Sequence, residues 1–261
     1  MSLNASQAYE FGAAVLVAVA AGLVGGFALL KRMSLASDVL SHLALPGIGI
    51  ALVFQLNPVL GAASTLLVGT VLVWGLEKKT GLATEGVIGV VFAASLAIGA
   101  LITPKEALEE ALFGQLQPLT LMGFLAASSA AIAITTVLLL RKDSLVLALF
   151  SPGLASSTGV NVSRVNLEFL LLFSFTILVC LKFLGALLAG ALLMIPAATG
   201  QRLATGMKSF LQFSVLTSIV SVVAGLMIAS RMPRLPSSGP VIVLAAAATF
   251  ILVTVFAPKR A

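Results

Sequence analysis

Asp38 and His42 are the residues of this 261-residue chain whose types and spacing most directly allow chemistry. An α-helix places residues four apart on one face, so the carboxylate and the imidazole would lie side by side. An imidazole nitrogen beside a carboxylate oxygen suits a zinc, manganese or iron ion. The same spacing also suits a plain hydrogen-bonded pair, or an Asp38 carboxylate that contacts Arg32 instead. His42 is the only histidine, so two residues leave a metal's coordination shell incomplete.

The elements that position this pair are predicted to be membrane helices. The chain is 60% hydrophobic and 9% charged, whereas about 25% of residues are charged in a soluble domain. Apolar runs of about 18 residues or more recur, and a helix of that length crosses a bilayer. The runs are continuous rather than alternating, which excludes a transmembrane β-barrel. The predicted fold is therefore an all-α polytopic transmembrane bundle of about eight or nine spans, forming a single domain over residues 1–261.

Nine candidate spans can be marked along the sequence. They are Phe11–Leu30, Asp38–Leu56, Pro58–Leu76, Gly86–Ile102, Leu119–Leu140, Val165–Phe183, Gly185–Gln201, Phe210–Ser230 and Gly239–Ala257. With the N-terminus outside and the C-terminus in the cytoplasm, most of the 15 Lys and Arg residues fall on the cytoplasmic side, as the positive-inside rule requires. Residues 141–164 then form the largest cytoplasmic loop.

Two spans contain residues that interrupt helices. Pro46-Gly47 follows His42 closely, and Pro196 lies within the seventh span. Proline has no backbone N–H and leaves the carbonyl one turn earlier without its partner, so both spans are predicted to kink or break. Interrupted helices are tolerated in a bilayer only where protein or a cavity surrounds them. These sites are therefore predicted to lie near a translocation path.

Several function classes are excluded by what the sequence lacks. No GxxxxGK[ST] motif is present to cradle nucleotide phosphates, and neither HExxH nor GxSxG occurs. The net charge of +6 is explained by basic loops between spans, so no nucleic-acid partner is expected. We therefore predict a protein that is not itself an enzyme and binds no cofactor of its own.

Several blocks resemble, in the same order, the permease subunits of zinc, manganese and iron ABC importers. The resemblance covers residues 22–244, and its first and fifth blocks are the most specific. The blocks are GGFALLKRMSLASDVLSHLALPGIGIAL, TEGVIGVVFAASLAIGALI, ALFGQL, LFSPGLASSTGVNVSRVN, LGALLAGALLMIPAATGQRLA and LPSSGPVIVL.

The resemblance implies an importer subunit that works by alternating access in a bacterial cell membrane. Such permeases pair as dimers, bind two ATP-hydrolysing subunits at the cytoplasmic face, and receive a metal from an extracytoplasmic binding protein. Asp38 and His42 match the family's Asp-x-x-x-His and would be metal ligands on the path. ATP would be bound by the partner subunits, and the transported ion would be a divalent metal.

The resemblance also assigns a role to the loop at residues 141–164. It would couple to the ATPase subunit through five residues: Phe150, Ser151, Pro152, Ala155 and Gly159. The chain departs from the family pattern at Ser151, where an acidic residue is usual, and at Arg231 and Arg234 before the last span, where polar or ligand residues are common.

One alternative of a different class stays open from the sequence. A self-contained secondary transporter or channel could use Asp38 and His42 as a proton relay, because histidine changes charge near neutral pH. Uptake driven by a proton gradient, with no partner subunit, would distinguish this protein from an ABC permease.

Overall fold

The computed structural model describes residues 5–34, 36–102, 120–184, 186–231 and 238–256. Within these ranges the chain forms eleven α-helices and no β-strand. The helices are α1 (Ala5–Leu30), α2 (Ala36–His42), α3 (Ala44–Val53), α4 (Pro58–Thr80), α5 (Thr84–Ile102), α6 (Leu121–Phe150), α7 (Pro152–Ser157), α8 (Val162–Leu184), α9 (Ala186–Leu203), α10 (Met207–Ser230) and α11 (Gly239–Phe256).

The predicted transmembrane bundle is confirmed. Eight stretches among the described residues are long and apolar enough to cross a membrane, and α9 occupies the position of the seventh predicted span. Helix α1 lies at the centre, where it packs against α6, α8, α9 and α10. The predicted limits Leu119, Gly185 and Ala257 lie outside the described residues.

The second predicted span is divided into α2 and α3, and the division lies at Leu43 rather than at Pro46-Gly47. Helix α2 ends at His42 and α3 begins at Ala44. Proline cannot supply the N–H that would bond to the carbonyl four residues earlier, so Pro46 leaves the His42 carbonyl without that bond. Leu43 N–H donates to the Leu40 carbonyl at 3.1 Å, which tightens the end of α2 into a 3₁₀ turn. The interruption thus lies one turn before the proline.

Pro46 and Gly47 are both buried inside α3, and Gly47 is a point of close helix contact. A Cβ on Gly47 would lie 2.0 Å from the Gly61 carbonyl oxygen of α4, and a Cβ on Gly61 would lie 2.1 Å from the Gly47 carbonyl oxygen. The two backbones approach closely because both positions lack a side chain. Asn57 accepts a hydrogen bond from Val59 N–H at 2.9 Å and caps the start of α4.

Of the predicted kink or break at Pro196, a break is contradicted, because α9 continues through this residue from Ala186 to Leu203. A single proline removes one backbone bond, while packing from both sides retains the rest of the helix. A Cβ on Gly25 of α1 would lie 2.0 Å from the Leu193 carbonyl oxygen, so α1 lies directly against this segment. On another side, Thr217 Oγ1 of α10 donates to the Pro196 carbonyl at 3.1 Å.

The segment at residues 141–164 is mostly helical, which corrects its description as a loop. Helix α6 continues ten residues past the predicted limit Leu140, because Leu145 is buried against the bundle. Arg141 Nη2 also donates to Glu168 Oε1 of α8 at 2.9 Å. The short helix α7 follows, and α8 begins at Val162 rather than Val165. The residues outside helices are therefore only Ser151 and the turn at 158–161.

Candidate metal and coupling sites

Asp38 and His42 lie on the same short helix, α2, as their spacing predicted. His42 Nε2 and Asp38 Oδ1 are 4.0 Å apart, which is too far for a hydrogen bond. The Asp38 side chain is 61% exposed and the His42 side chain 13% exposed. Asp38 makes this ion contact with His42 rather than with Arg32. The pair is thus close enough to share an ion, with its carboxylate on the open side.

Helix α2 is held between α5 and α9. A Cβ on Gly190 of α9 would lie 2.8 Å from both the Cα and the backbone nitrogen of Asp38, so the absence of a side chain at Gly190 permits this contact. The His42 ring lies 5.7 Å from the Phe92 ring of α5, centroid to centroid. Ser41 Oγ donates to the Asp38 carbonyl at 2.6 Å. These contacts therefore hold the backbone of α2 in place, while the Asp38 carboxylate remains exposed.

The second imidazole nitrogen of His42, Nδ1, is buried and has no hydrogen-bond partner in the described part of the chain. A buried polar atom without a partner costs about 1–3 kcal/mol. In that same part of the chain, no group of three or more His, Cys, Asp and Glu side chains is placed to hold a metal. A single chain therefore offers two ligands at this position.

Helix α7 presents apolar side chains outward at one end of the bundle. Phe150, at the end of α6, is 64% exposed, and Leu154 of α7 is 56% exposed. Ala155 is fully buried and faces the bundle, while Pro152 begins α7 at its first position, where proline costs no hydrogen bond. This arrangement leaves Phe150 and Leu154 available to a partner protein.

The turn after α7 depends on Gly159, whose φ is +82°. Val160 N–H donates to the Ala155 carbonyl at 2.9 Å and Gly159 N–H to the Ser156 carbonyl at 3.2 Å. This is a Schellman motif, in which glycine is favoured because a side chain is strained at positive φ. Gly159 therefore sets the direction in which the chain enters α8.

Ser151 connects α6 and α7 through its backbone. Its N–H donates to the Leu147 carbonyl at 3.0 Å, and its carbonyl accepts from Ala155 N–H at 2.9 Å. Its side chain makes no capping bond to α7 and is exposed. Of the other two departures, Arg231 is the C-cap residue that follows α10, and Arg234 lies outside the described residues.

Sequence reasoning missed a polar cluster near α7. Lys31, which follows α1, donates through Nζ to Asn166 Oδ1 of α8. Asn166 Nδ2 donates to both carboxylate oxygens of Glu77 on α4, at 2.9 and 2.7 Å. Trp74 Nε1 donates to the Ser163 carbonyl at 3.0 Å. Lys31 and Asn166 are 135 residues apart, so no local pattern indicates their contact.

The cluster borders a cavity of about 520 Å³ between the ends of α1, α4 and α6 and the start of α8. Burial lowers the pKa of Lys31 from 10.5 to about 8, an effect that the Glu77 carboxylate partly opposes. The Lys31 ammonium also lies 4.8 Å from the centroid of the Phe169 ring, a distance typical of a cation–π contact. Lys31 is therefore still mostly protonated at neutral pH.

A sequence profile described as the ABC 3 transport family matches residues 8–257. The chain belongs to this family. The prediction of an ABC permease made from the sequence blocks is therefore confirmed, and the chain is the membrane subunit of an ABC transporter.

Two curated members of the ABC 3 transport family illustrate the similarity. The chain is 32% identical over 230 residues to the high-affinity zinc uptake system membrane protein ZnuB of Buchnera aphidicola subsp. Baizongia pistaciae, covering 85% of this chain and 88% of that protein. It is 30% identical over 251 residues to the manganese transport system membrane protein MntC of Listeria monocytogenes, covering 94% of this chain and 89% of that protein.

The same helical arrangement occurs in a solved structure. A chain of PsaBC from Streptococcus pneumoniae, determined in complex with a Fab, aligns with a TM-score of 0.83 at 25% sequence identity. The alignment covers 98% of this chain and 93% of that chain. The similarity therefore extends over nearly the whole of both chains.

Proposed function

We propose that this chain is the membrane-spanning subunit of a bacterial importer for a divalent transition metal, with Asp38 and His42 as transient ligands on the path. The observation that carries the proposal is the pair itself: a carboxylate and an imidazole on one face of α2, with the carboxylate 61% exposed. An ionisable pair among membrane helices is expensive and marks a functional site by default. The zinc and manganese systems named for its relatives support zinc or manganese as the ion.

We propose that the metal shell is completed by a second copy of the chain. One copy offers only Asp38 and His42, whereas zinc takes four ligands. Two copies related by a two-fold axis would supply two carboxylates and two imidazoles from the same surface patch. The exposure of the Asp38 carboxylate supports this arrangement, because a ligand shared between subunits must face out of its own chain.

The energy would come from partner subunits, because the chain has no phosphate-binding motif. The surface formed by Phe150 at the end of α6 and Leu154 of α7, both facing outward, is the one we assign to the ATP-hydrolysing subunit. The N-terminus would then lie outside and the C-terminus in the cytoplasm, where an excess of Lys and Arg is favoured. An extracytoplasmic binding protein would deliver the metal to the opposite face, and alternating access would release it inside.

Uptake by the reconstituted complex tests the proposal. Asp38→Asn and His42→Gln keep the side-chain size and should each reduce zinc or manganese uptake about tenfold or more. Loss of a residue that only hydrogen-bonds to a metal ligand already lowers metal affinity or activity by about 10–100-fold, and these variants remove a ligand itself. Asp143→Asn is the matched control, because Asp143 is an exposed carboxylate on α6 rather than on α2. Full uptake by both variants would show that transport does not require Asp38 or His42. Proton-driven uptake by this chain alone would instead favour a secondary transporter.

A further inference from the structure

A half-buried polar bridge links the residue after α1 to α4 and α8, at the end of the bundle that carries α7. We call it the Lys31 bridge: the Lys31 ammonium donates to the Asn166 amide oxygen, and the Asn166 amide nitrogen donates to both Glu77 oxygens. The amide thus uses its acceptor toward the cation and its donor toward the anion. Nothing in the proposed metal site or in helix α7 requires these three residues.

On one side, the Lys31 bridge lies next to the turn between α1 and α2, the helix that carries Asp38 and His42. Arg32 follows Lys31 with φ +59°, and Met33 N–H donates to the Ala28 carbonyl at 2.9 Å. Met33 is buried to 1% exposure. Helix α2 then begins at Ala36, two residues before Asp38. Lys31 therefore lies only five positions before the start of α2, next to a turn that is anchored at Met33.

On the other side, the bridge holds the segment that leaves α7. Asn166 lies in the second turn of α8, four residues after its start at Val162. The Schellman motif at Gly159 ties α7 to this start through the bond from Val160 N–H to the Ala155 carbonyl. A displacement of α7 by a bound partner would therefore reach Asn166 through a short, hydrogen-bonded turn.

Because a cavity lies beside the Lys31 bridge, polar contacts contribute more to holding the helix ends together at this place. It has a volume of about 520 Å³ and is lined by Lys31, Glu77 and Asn166 together with apolar residues such as Val165 and Leu145. Close apolar packing normally holds helices in register, but here the ends of α1, α4 and α8 border open space. The hydrogen bonds of the bridge therefore link these three ends, together with the Trp74–Ser163 bond between α4 and α8.

We propose that Lys31 is a positioning residue that ties the start of α2, and with it Asp38 and His42, to α8 and the ATPase-facing helix α7. Movement of α7 that is driven by ATP hydrolysis is then transmitted to Asp38 and His42 through the Lys31 bridge. This inference rests on the proposed function. Hydrogen-bonded networks and rigid secondary-structure elements of this kind can carry the energetic coupling between two distant sites.

The test compares metal uptake with ATP hydrolysis in the same liposomes, which contain the complete complex and receive zinc or manganese with the binding protein. Lys31→Met removes the charge and keeps an unbranched apolar chain. It should leave ATP hydrolysis within about twofold and reduce the metal moved per ATP about tenfold, within the usual range of allosteric coupling. Lys31→Arg keeps a cationic donor and should restore most of this ratio. A merely structural role would lower uptake and hydrolysis together.

Two further variants keep the test decisive. Lys78→Met removes an exposed cation at the same end of the bundle, where Lys78 lies over the Trp74 ring, and should leave the ratio unchanged. Glu77→Gln weakens the bridge from its other side and replaces Lys31→Met if that variant fails to assemble. An unchanged ratio in assembled Lys31→Met or Glu77→Gln overturns the inference. Absence of metal uptake by the wild-type complex would instead count against the proposed function.

Discussion

Replacing Gly190 with alanine tests whether the contact between α9 and α2 sets the position of Asp38 and His42, the proposed metal ligands. The added methyl group would lie 2.8 Å from the Cα and the backbone nitrogen of Asp38, and 3.0 Å from the carbonyl carbon of Ser37. All three are backbone atoms, so no side-chain rotation can relieve the overlap. The substitution must instead displace α2 from α9.

The size of this displacement follows from the contact distances. Real Cβ atoms essentially never lie within 3.0 Å of another atom and ordinary van der Waals contact begins at 3.4 Å, so restoring ordinary contact requires α2 to move by 3.4 − 2.8 = 0.6 Å. Overpacking of this kind costs about 1–3 kcal/mol, which a bundle of this size should survive. A functional group misplaced by about 1 Å costs about a hundredfold in catalysis. By analogy, we expect Gly190→Ala to reduce metal uptake between about tenfold and a hundredfold.

The assay is zinc or manganese uptake by the complete complex in liposomes, with size-exclusion chromatography to establish assembly. Gly75→Ala in α4 is the matched control, because a Cβ at Gly75 would meet no atom within 4 Å. Both variants gain about 1 kcal/mol of helix propensity, so this gain cannot explain a difference between them. Full uptake by an assembled Gly190→Ala complex would refute the reasoning, as would an equal loss in Gly75→Ala.

Two further predictions concern stability. Gly159→Ala should lower the free energy of unfolding by about 1 kcal/mol, because φ at this residue is +82°. Gly153→Ala should not lower it, since no atom would lie within 4 Å of the new Cβ, and equal losses in thermal melts would contradict the explanation. The stability of the wild type relative to Lys31→Met should rise between pH 8 and pH 10.5, because the folded state releases the Lys31 proton near 8 and the unfolded state near 10.5. A flat or falling difference between their unfolding free energies over this range would show that Lys31 is not buried as a cation.

The features that could be predicted from sequence are those set by local pattern. A bilayer requires every backbone polar group to be satisfied within the protein, so long apolar runs are sufficient to predict helices. The helical period likewise places Asp38 and His42 on one face without any knowledge of tertiary structure. Both predictions depend on residues a few positions apart, which is why they agree with the structure.

The features that could not be predicted depend on residues distant in sequence. Hydropathy ended the fifth span at Leu140 because Arg141 and Lys142 follow, but the Glu168 partner of Arg141 and the burial of Leu145 allow the helix to continue. Pro196 remains inside a helix because neighbouring helices hold both sides of the segment. Such contacts have no signature in the local sequence.

The loose spacing of Asp38 and His42, the proposed metal ligands, suits transport better than storage. A transported ion must bind strongly enough to enter and weakly enough to leave, a requirement known from channels. At 4.0 Å, His42 Nε2 and Asp38 Oδ1 do not hydrogen-bond, so neither has to break a bond with the other before it takes an ion. Because both residues lie on α2, a small movement of this helix would shift them together relative to the pair of the proposed second copy. Control of the ion should therefore lie as much in the contacts that hold α2, at Gly190 and Lys31, as in the two ligands themselves.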